Sequence, residues 1–286
     1  MSKARALLFV INPTRADAKG ATKELASLLS EAGFALYANA ESQIPDIALV
    51  TAQALEEIEI AIILGGDGTM LRAAEAVRDT DIPLLGVNLG HVGFLAEVEK
   101  PSIAEIAQAV IARSYISDKR MVLAYSVSRE GHEVARGWAL NEVTIERNGT
   151  TMVQLFVQID HRPLSRWGCD GLICSTPTGS TAYAFSAGGP VVWPEVEALV
   201  LLPISAHALF ARPMVISPQS TIVIDVESSD ALLLGDSLRK FALKLGDRVT
   251  LTKDAGSVQL AHLKGTLFTD RLVAKFKLPV EGWRGE

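Results

Sequence analysis

Ile60-Ala61-Ile62-Ile63-Leu64-Gly65-Gly66-Asp67-Gly68-Thr69 is the stretch that decides the fold, and Met70 to Val77 follow it without a break. Five apolar residues rich in isoleucine predict a strand buried on both faces, and the alanine-rich run after Thr69 predicts a helix. The three glycines therefore lie at a strand-to-helix turn. There the backbone can approach a ligand closely, and the first amides of the helix point outward. These are the features of a phosphate-binding turn.

Asp67 distinguishes this turn from an ordinary phosphate loop, because its carboxylate would repel phosphates. The repulsion is relieved when a divalent cation bridges the two, or when the carboxylate takes a proton from an attacking hydroxyl. A kinase site requires a phosphate-binding turn and such a carboxylate together. The alternative is a tight turn with Thr69 as the N-cap of the helix.

Two better-known glycine loops do not fit the residues that follow. A Walker A loop requires Gly-Lys-Ser/Thr, whereas Gly68 is followed by Thr69 and Met70. A dinucleotide fingerprint requires a third glycine at the position that Leu71 occupies. The turn therefore belongs to neither class.

Composition and charge exclude several classes of partner. With 286 residues, 49% of them hydrophobic and 21% charged, the chain has room for two domains. A net charge of −6 gives no general attraction to nucleic acid, so no nucleic-acid partner is expected. No apolar run approaches the ~18 residues of a membrane helix. The first 15 residues lack the apolar core of a signal peptide. We therefore expect a cytoplasmic protein without a membrane partner.

Cys169 and Cys174 are the only cysteines, which is too few for a four-cysteine zinc site. A mixed site with the nearby His161 is conceivable. Two free thiols in a reducing compartment are the favoured interpretation. No metal site formed by protein side chains is predicted.

The first part of the chain alternates strand and helix patterns. Buried-strand patterns cover residues 6–11, 34–37, 60–64 and 84–88, and helical spacing covers 19–32, 48–58 and 102–112. Ser102 and Glu105 form a capping box at the start of the last of these helices. The alternation predicts a doubly wound parallel sheet, that is, a Rossmann-like α/β domain over residues 1–115.

From residue 116 the pattern changes to strands almost without helices. The strand-like segments are 122–128, 133–145, 153–159, 172–175, 199–202, 221–226 and 249–252. They predict a C-terminal antiparallel β-sandwich domain over residues 116–265. A helical pattern at 267–276 predicts that the segment 266–286 returns to the first domain.

The loop after the first strand, from Asn12 to Arg15, leaves the sheet at the same edge as the glycine turn. Ligands of doubly wound folds bind at that edge, so Arg15 and Lys19 are placed to reach a triphosphate. Solvated surface charges are an equally good interpretation. The predicted phosphate-donor site consists of Asn12, Arg15, Gly65, Gly66 and Thr69.

Two polar clusters interrupt the β-rich region. Asn141-Glu142 lies in an otherwise apolar segment, and an amide beside a carboxylate can hold ribose hydroxyls. The solvated face of an edge strand would show the same pair. Residues 175–183 place hydroxyls around a predicted helix start at Ser180 or Thr181. These hydroxyls and the free helix amides can read the edge of a purine, and Tyr183 can stack on it. A capped helix with a packed tyrosine is the alternative.

These motifs, in this order, resemble those of the bacterial NAD kinases, and the resemblance runs from about Leu8 to Leu278. Its residues are Gly65 to Thr69, Gly86 to Leu95, Asn141-Glu142, Asp170-Gly171 with Ser175 to Tyr183, and Arg212-Pro213 after His207. The Gly-Gly-Asp-Gly turn alone is shared with phosphofructokinases and with diacylglycerol and sphingosine kinases. The stretch Thr-Pro-Thr-Gly-Ser-Thr-Ala-Tyr, together with Asn-Glu, distinguishes the NAD kinases from these other kinases.

The resemblance implies transfer of the γ-phosphoryl group of ATP, or of another donor, to the 2′-hydroxyl of the adenosine ribose of NAD. It also implies a divalent cation such as Mg²⁺ bound with the donor, and a homo-oligomer, either a tetramer or a dimer. Asp67 would be the catalytic proton acceptor. NAD would be bound by Asp67, Gly68, Arg72, Asn141, Glu142, Asp170, Thr181, Ala182, Tyr183, Ala184, Phe185 and Ser186.

One position departs from the pattern of the family. Many relatives carry a basic residue two places before this Asp-Gly, where Gly168 stands here, and the nearest basic residue along the chain is Arg166. We therefore do not assign that contact. The sequence also leaves open the choice of donor, the preference for NAD or NADH, and regulation by NADP(H).

Two other functions compete with the kinase interpretation. A lipid kinase of the diacylglycerol type shares the turn, but its membrane-bound acceptor favours a basic or apolar surface, which the acidic balance of the chain opposes. A sensor that binds NAD without turnover is the alternative outside enzymes. The carboxylate of Asp67 beside phosphate opposes it. Vesicle sedimentation and a phosphoryl-transfer assay would discriminate between these functions.

Overall fold

The computed structural model describes residues 4–87, 89, 93–95, 102–228, 230–263 and 267–280. It divides into two compact units, which we call the first unit, Met1–Lys119 with Val258–Glu286, and the second unit, Arg120–Ser257. The sequence analysis placed the boundaries at residues 115 and 265. In the structure the chain passes from unit to unit inside two long strands, Tyr115–Arg129 and Arg248–Leu263.

The helices and strands of the described residues follow one another in a simple order. Up to residue 111 they are β1 (Ala6–Ile11), α1 (Ala16–Glu31), β2 (Ala35–Ala38), β3 (Ala48–Leu49), α2 (Ala52–Leu55), β4 (Ile58–Leu64), α3 (Asp67–Ala76), β5 (Leu84–Val87) and α4 (Ile103–Ile111). Next come β6 (Tyr115–Arg129), β7 (His132–Ala139), β8 (Glu142–Arg147), β9 (Val153–Ile159), β10 (Arg162–Cys169) and β11 (Gly171–Ser175). The last are α5 (Tyr183–Ser186), β12 (Leu199–Ile204), β13 (Met214–Ile216), β14 (Ile222–Val226), β15 (Ala231–Gly235), β16 (Arg239–Leu243), β17 (Arg248–Leu263) and α6 (Phe268–Phe276).

The first unit is built on a parallel sheet in the order β3-β2-β1-β4-β5, and the end of β17 adds a further parallel strand beside β5. On one face, alternate residues of β1 and β4 such as Phe9 and Ile62 pack against Leu25 of α1 and Ile106 of α4. The strand order reverses between β1 and β4, so the loops that follow these two strands lie next to each other. The predicted doubly wound α/β fold is confirmed.

The capping box is confirmed, and one predicted helix of the first unit is wrong. Glu105 donates its N–H to Ser102 Oγ at 3.2 Å, and the N–H of Ser102 donates to Glu105 Oε2 at 2.7 Å. Residues 48–58, predicted as one helix, form the short strand β3, the four-residue helix α2 and the first residue of β4. Ala54 is the buried residue of α2, and so small an apolar face does not sustain a longer helix.

The second unit contains two antiparallel sheets. One has the order β13-β12-β11-β8-β15-β16, and the other includes β10-β9-β14-β17. Their shared core contains Trp167 and Leu155 from one sheet and Ile145 and Leu172 from the other. This is the predicted antiparallel β-sandwich.

The predicted strand at 133–145 is wrong, because the structure splits it into β7 and β8. The N–H groups of Leu140 and Asn141 donate to the carboxylate of Asp236 at 2.8 and 2.7 Å, so these amides do not enter the sheet ladder. Strands β10, β13, β15 and β16 were not predicted. In β10 the buried Trp167 is flanked by Arg166 and Gly168, and few residues of the strand are apolar. The alternation of apolar and polar residues that predicts a strand is therefore weak.

Candidate functional site

The glycine turn of the first unit joins β4 directly to α3. Gly66 is the N-cap of α3, with an extended backbone, and Thr69 and Met70 donate their N–H groups to its carbonyl at 2.9 and 3.2 Å. A Cβ on Gly65 would lie 2.3 Å from Thr69 Oγ1, so only glycine fits there. Thr69 is buried and does not cap the helix. The alternative of a Thr69-capped turn is therefore wrong, and helix geometry leaves the first amides of α3 available to a ligand.

Asp67 is the first residue of α3, and its carboxylate is held by backbone amides of the 93–95 segment. The N–H of Phe94 donates to Oδ2 and the N–H of Leu95 donates to Oδ1, each at 3.3 Å. A Cβ on Gly93 would lie 2.2 Å from Oδ1. The carboxylate is only partly exposed, and its orientation is set by a segment 26 to 28 residues away in the sequence. The adjacent motif residues Asn88 and Gly90 to Val92, including His91, lie outside the described residues.

The structure brings Asn12 to the glycine turn, because its N–H donates to the Leu64 carbonyl at 3.4 Å. Its side-chain Oδ1 accepts from the N–H and the hydroxyl of Thr14 at 3.1 and 2.8 Å. Arg15 is paired with Asp17, with Nε 3.0 Å from Oδ1, so part of its charge is neutralised within the loop. Gly68 and Arg72 are exposed on α3.

Lys19 lines a cavity of about 510 Å³ between α1 and the segment that follows β2. Lys23, Gln43 and Asp46 line the same cavity, together with apolar residues such as Ile44. None of the five residues predicted to bind the phosphate donor lines it.

Asn141 and Glu142 occupy a buried position in the second unit, not the solvated face of an edge strand. Both are more than nine-tenths buried, and β8 lies between β11 and β15 in the middle of its sheet. Among the described residues, Glu142 Oε2 has no hydrogen-bond partner. A buried acceptor without a partner is unfavourable in an isolated protein and is expected where a ligand supplies the donor.

Burial, together with the nearby charge of Asp236, raises the pKa of Glu142 to about 8. Burial also raises the pKa of Asp236 to about 6, against the effect of the N–H groups of Leu140, Asn141 and Glu142 that donate to it. Glu142 therefore carries a proton over much of the neutral range. In that state its carboxyl group can both donate and accept a hydrogen bond.

The raised pKa of Glu142 predicts that stability falls with increasing pH. The folded protein holds this proton more tightly than the unfolded chain, so stability present below about pH 4.5 is lost as the pH rises to about 8. Asp236 contributes with the same sign between about 3.8 and 6. We expect the melting temperature to fall by several degrees from pH 5 to pH 8, because each kcal/mol lost from the free energy of unfolding lowers it by roughly 2–4 °C.

Glu142→Gln is expected to reduce this fall, because the amide does not ionise. The exposed Glu195→Gln serves as the matched control and should leave the pH dependence as it is. Thermal unfolding followed by circular dichroism at several pH values measures both variants. An unchanged pH dependence in Glu142→Gln would show that Glu142 is ionised throughout this range.

The hydroxyls of residues 175–181 were predicted to read a purine, and for several of them this is wrong. Ser175 Oγ donates to the Asn141 carbonyl at 3.3 Å, and Thr176 Oγ1 donates to the Leu140 carbonyl at 2.5 Å. Ser180 Oγ accepts the N–H of Val192 at 2.9 Å. All three side chains are fully buried. Ser175 and Thr176 thus fix the backbone around Asn141, and Ser180 fixes the backbone at Val192, which leaves none of the three a free surface for a base.

The predicted helix start at Ser180 or Thr181 is also wrong. A 3₁₀ turn covers Thr178–Thr181, and α5 begins at Tyr183 and has only four residues. Within α5, Ala184 packs into a small core with Ile173. Tyr183 and Phe185 are 38% and 39% exposed, and Ser186 is exposed beside them. Both aromatic rings therefore remain accessible to a ligand.

Asp170 has a basic partner that the sequence analysis missed. Arg147 Nε lies 2.9 Å from Asp170 Oδ1, and the N–H of Arg147 donates to the Asp170 carbonyl at 3.0 Å. Arg166 instead pairs with Glu227 at 3.1 Å and lies over the ring of Phe156. The antiparallel register of β8 and β11 places Arg147 beside Asp170. No pattern along the chain marks that pairing.

Two features of the described residues concern metals and membranes. Within those ranges, no three His, Cys, Asp or Glu side chains come together as a metal-binding group. No helix in the described part of the chain combines the length and the apolar character needed to cross a bilayer.

Comparison with protein families gives matches to both units. The model described as ATP-NAD kinase N-terminal domain matches residues 7–115, and the model described as ATP-NAD kinase C-terminal domain matches residues 140–263. Among curated relatives, the NAD kinase of Thermobifida fusca is 51% identical over 241 residues, which cover 82% of this chain and 74% of that one. The NAD kinase of Mycolicibacterium paratuberculosis is 44% identical over 302 residues, with 98% of each chain covered.

Solved structures show a similar fold. Yeast NADH kinase complexed with NADH has a TM-score of 0.87 at 21% identity, covering all of this chain and 91% of that one. An NAD kinase from Archaeoglobus fulgidus in complex with ATP has a TM-score of 0.71 at 25% identity, covering 93% and 98%.

Proposed function

The chain belongs to the NAD kinase family, and we propose that Asp67 takes the proton from the acceptor hydroxyl in its reaction. The protein is an enzyme that phosphorylates NAD to NADP at the expense of ATP. One observation carries the proposal for Asp67. Its carboxylate stands at the N-terminus of α3, partly exposed and oriented by two backbone N–H groups at 3.3 Å.

In this mechanism the first unit positions the reacting groups and neutralises charge. The 2′-oxygen of NAD forms a bond to the γ-phosphorus as the bond from that phosphorus to the β,γ-bridging oxygen breaks, which releases ADP. The proton of the 2′-hydroxyl passes to a carboxylate oxygen of Asp67. The phosphates of the donor are assigned to the N-terminus of α3 and the loop after β1, with Asn12, Arg15, Gly65, Gly66 and Thr69. Such a reaction needs no covalent intermediate on the protein.

The second unit is proposed to bind NAD through the cluster around Asn141. Glu142 Oε2 would accept a hydrogen bond from a ribose hydroxyl, which would supply the partner it lacks among the described residues. Tyr183 and Phe185 offer exposed aromatic faces. Asp170, oriented by Arg147, would contact the nicotinamide side. The remaining proposed contacts are Thr181, Ala182, Ala184 and Ser186, together with Gly68 and Arg72 of α3.

A divalent cation, Mg²⁺ in this proposal, would be bound with the phosphate donor and would neutralise charge on its phosphates. The residues present fit that arrangement. Mg²⁺ usually keeps several waters and binds substrate phosphates, and the partly exposed carboxylate of Asp67 would provide a negative charge near such an ion without being its ligand. We expect excess chelator to abolish NADP formation and added Mg²⁺ to restore it. Full activity in chelator would contradict this part of the proposal.

We also propose a homo-oligomer, a dimer or a tetramer, in the cytoplasm. The second unit exposes large apolar side chains, among them Trp193, Phe210 and Val215, which supports an interface between copies. Cys169 and Cys174 are buried free thiols, which supports a reducing compartment. Light scattering of the purified protein measures the number of subunits directly.

The assay that tests the function uses purified protein with NAD, ATP and Mg²⁺, followed by an NADP-specific dehydrogenase. NADP formation is expected. Inorganic polyphosphate in place of ATP and NADH in place of NAD define the donor and the acceptor preference. If the folded protein binds NAD but makes no NADP with any donor, the result would favour a sensor that binds NAD without turnover.

A further inference from the structure

We propose that Arg271 of α6 is a positioning residue for Asp67, acting through the backbone of Phe94. Arg271 is 2% exposed, and its NH1 donates to the carbonyl of Phe94 at 3.3 Å. The N–H of the same residue donates to Asp67 Oδ2 at 3.3 Å. Phe94 is thus held at its carbonyl by Arg271 and itself holds the carboxylate of Asp67. The inference rests on the proposed role of Asp67.

His262, near the end of β17, orients Arg271. Arg271 NH2 lies 2.5 Å from His262 Nδ1, and His262 Nε2 lies 2.8 Å from Asp118 Oδ1. A guanidinium only donates hydrogen bonds, so His262 Nδ1 must accept and the ring carries its proton on Nε2. That proton then points to Asp118. One polarised series of hydrogen bonds therefore links Asp118, His262, Arg271 and Phe94 to Asp67.

Helix α6 contacts the side chain of Phe94 as well as its carbonyl. The rings of Phe94 and Phe276 have centroids 5.5 Å apart at an interplanar angle of 49°, and Lys275 Nζ lies 5.9 Å from the centroid of Phe94. Gly93 packs directly against Asp67, since a Cβ at this position would lie 2.2 Å from Asp67 Oδ1. The 93–95 segment is therefore fitted between α6 and Asp67.

Small displacements of this segment matter because phosphoryl transfer depends on positioning. A misplacement of about 1 Å can reduce a rate by about 10²-fold. Loss of the Arg271 bond to Phe94 would let the amide of Phe94, and with it Asp67, shift from the acceptor hydroxyl. NAD affinity would change little, because the proposed contacts in the second unit are retained. This difference between kcat and KM separates positioning from general damage.

The test is a mutant cycle of Arg271→Met and Asp67→Asn. Methionine keeps much of the volume and removes the donors, and the exposed Lys277→Met at the C-cap of the same helix is the matched control. We expect Arg271→Met to lower kcat by about 10- to 100-fold, with the KM for NAD changed by less than about threefold. In the Asp67→Asn background the same substitution should change the residual rate by less than about twofold. Lys277→Met should behave as wild type.

The outcomes distinguish the inference from the proposed function. An unchanged kcat in folded Arg271→Met overturns the inference, and so does an equal fall in both backgrounds, which would mean that Arg271 does not act through Asp67. Full activity of Asp67→Asn would instead overturn the proposed function. If Arg271→Met does not fold, Asp118→Asn replaces it, since that side chain is 41% exposed. A several-fold loss of kcat at unchanged KM is then expected, and none would overturn the inference.

Discussion

Asp67→Asn is expected to lower kcat by about 10²- to 10⁴-fold while the affinity for NAD changes by less than about tenfold. Asparagine has the shape of aspartate, and its single oxygen can keep one of the two N–H bonds from Phe94 and Leu95. It cannot accept the proton of the acceptor hydroxyl at neutral pH. Steady-state NADP formation gives kcat, and calorimetric titration with NAD gives the affinity.

The control for this variant is Asp79→Asn, which makes the same chemical change at an exposed position in the same unit. It should retain the activity and the stability of the wild type. A parallel loss of NAD binding and turnover in Asp67→Asn would contradict the proton-transfer role and make Asp67 a residue that holds the ligand.

Gly179→Ala is expected to have the largest effect on stability among single methyl additions in the second unit. A Cβ at this position would lie 2.1 Å from the carbonyl oxygen of Asn141 and 2.4 Å from its carbonyl carbon. Both are backbone atoms, so no side-chain rotation relieves the overlap. We expect a loss of about 3 kcal/mol in the free energy of unfolding. NAD binding should weaken more than tenfold, because Asn141 and Glu142 must move.

Gly149→Ala is the matched control, because nothing lies within 4 Å of a Cβ built there. Its free energy of unfolding should stay within about 0.5 kcal/mol of the wild type in urea unfolding. Wild-type stability and NAD affinity in Gly179→Ala would mean that the 3₁₀ turn and the strand β8 can separate without consequence. That result would remove the structural support for placing NAD at Asn141.

Much of the first unit was predictable because its elements are encoded locally. The apolar run of β4 and the three glycines after it indicate a strand and a turn without reference to any other part of the chain. The capping box at Ser102 is likewise a pattern four residues long. Residues 48–58 were mispredicted because alanine-rich helical spacing does not tell whether a surface exists for the helix to bury.

The second unit was predictable in class but not in detail. Alternating apolar residues indicated strands, and the sandwich followed from their number and from the scarcity of helices. The hydroxyl-rich stretch was misassigned because its composition suits both a ligand site and a network of internal bonds. Only the partners of Ser175, Thr176 and Ser180 decide for the internal network.

The sequence by itself determined the fold class, the glycine turn with Asp67 at its centre, and the presence of Asn141-Glu142, because each depends on neighbouring residues. Only the tertiary structure decided how these groups are held. Strand register brings Asp236 to the amides of Leu140 and Asn141, and it brings Arg147 to Asp170. Helix packing brings Arg271 to the carbonyl of Phe94, whose N–H holds the carboxylate of Asp67. Partners far apart in sequence leave no local pattern, because the folded backbone sets their separation in space.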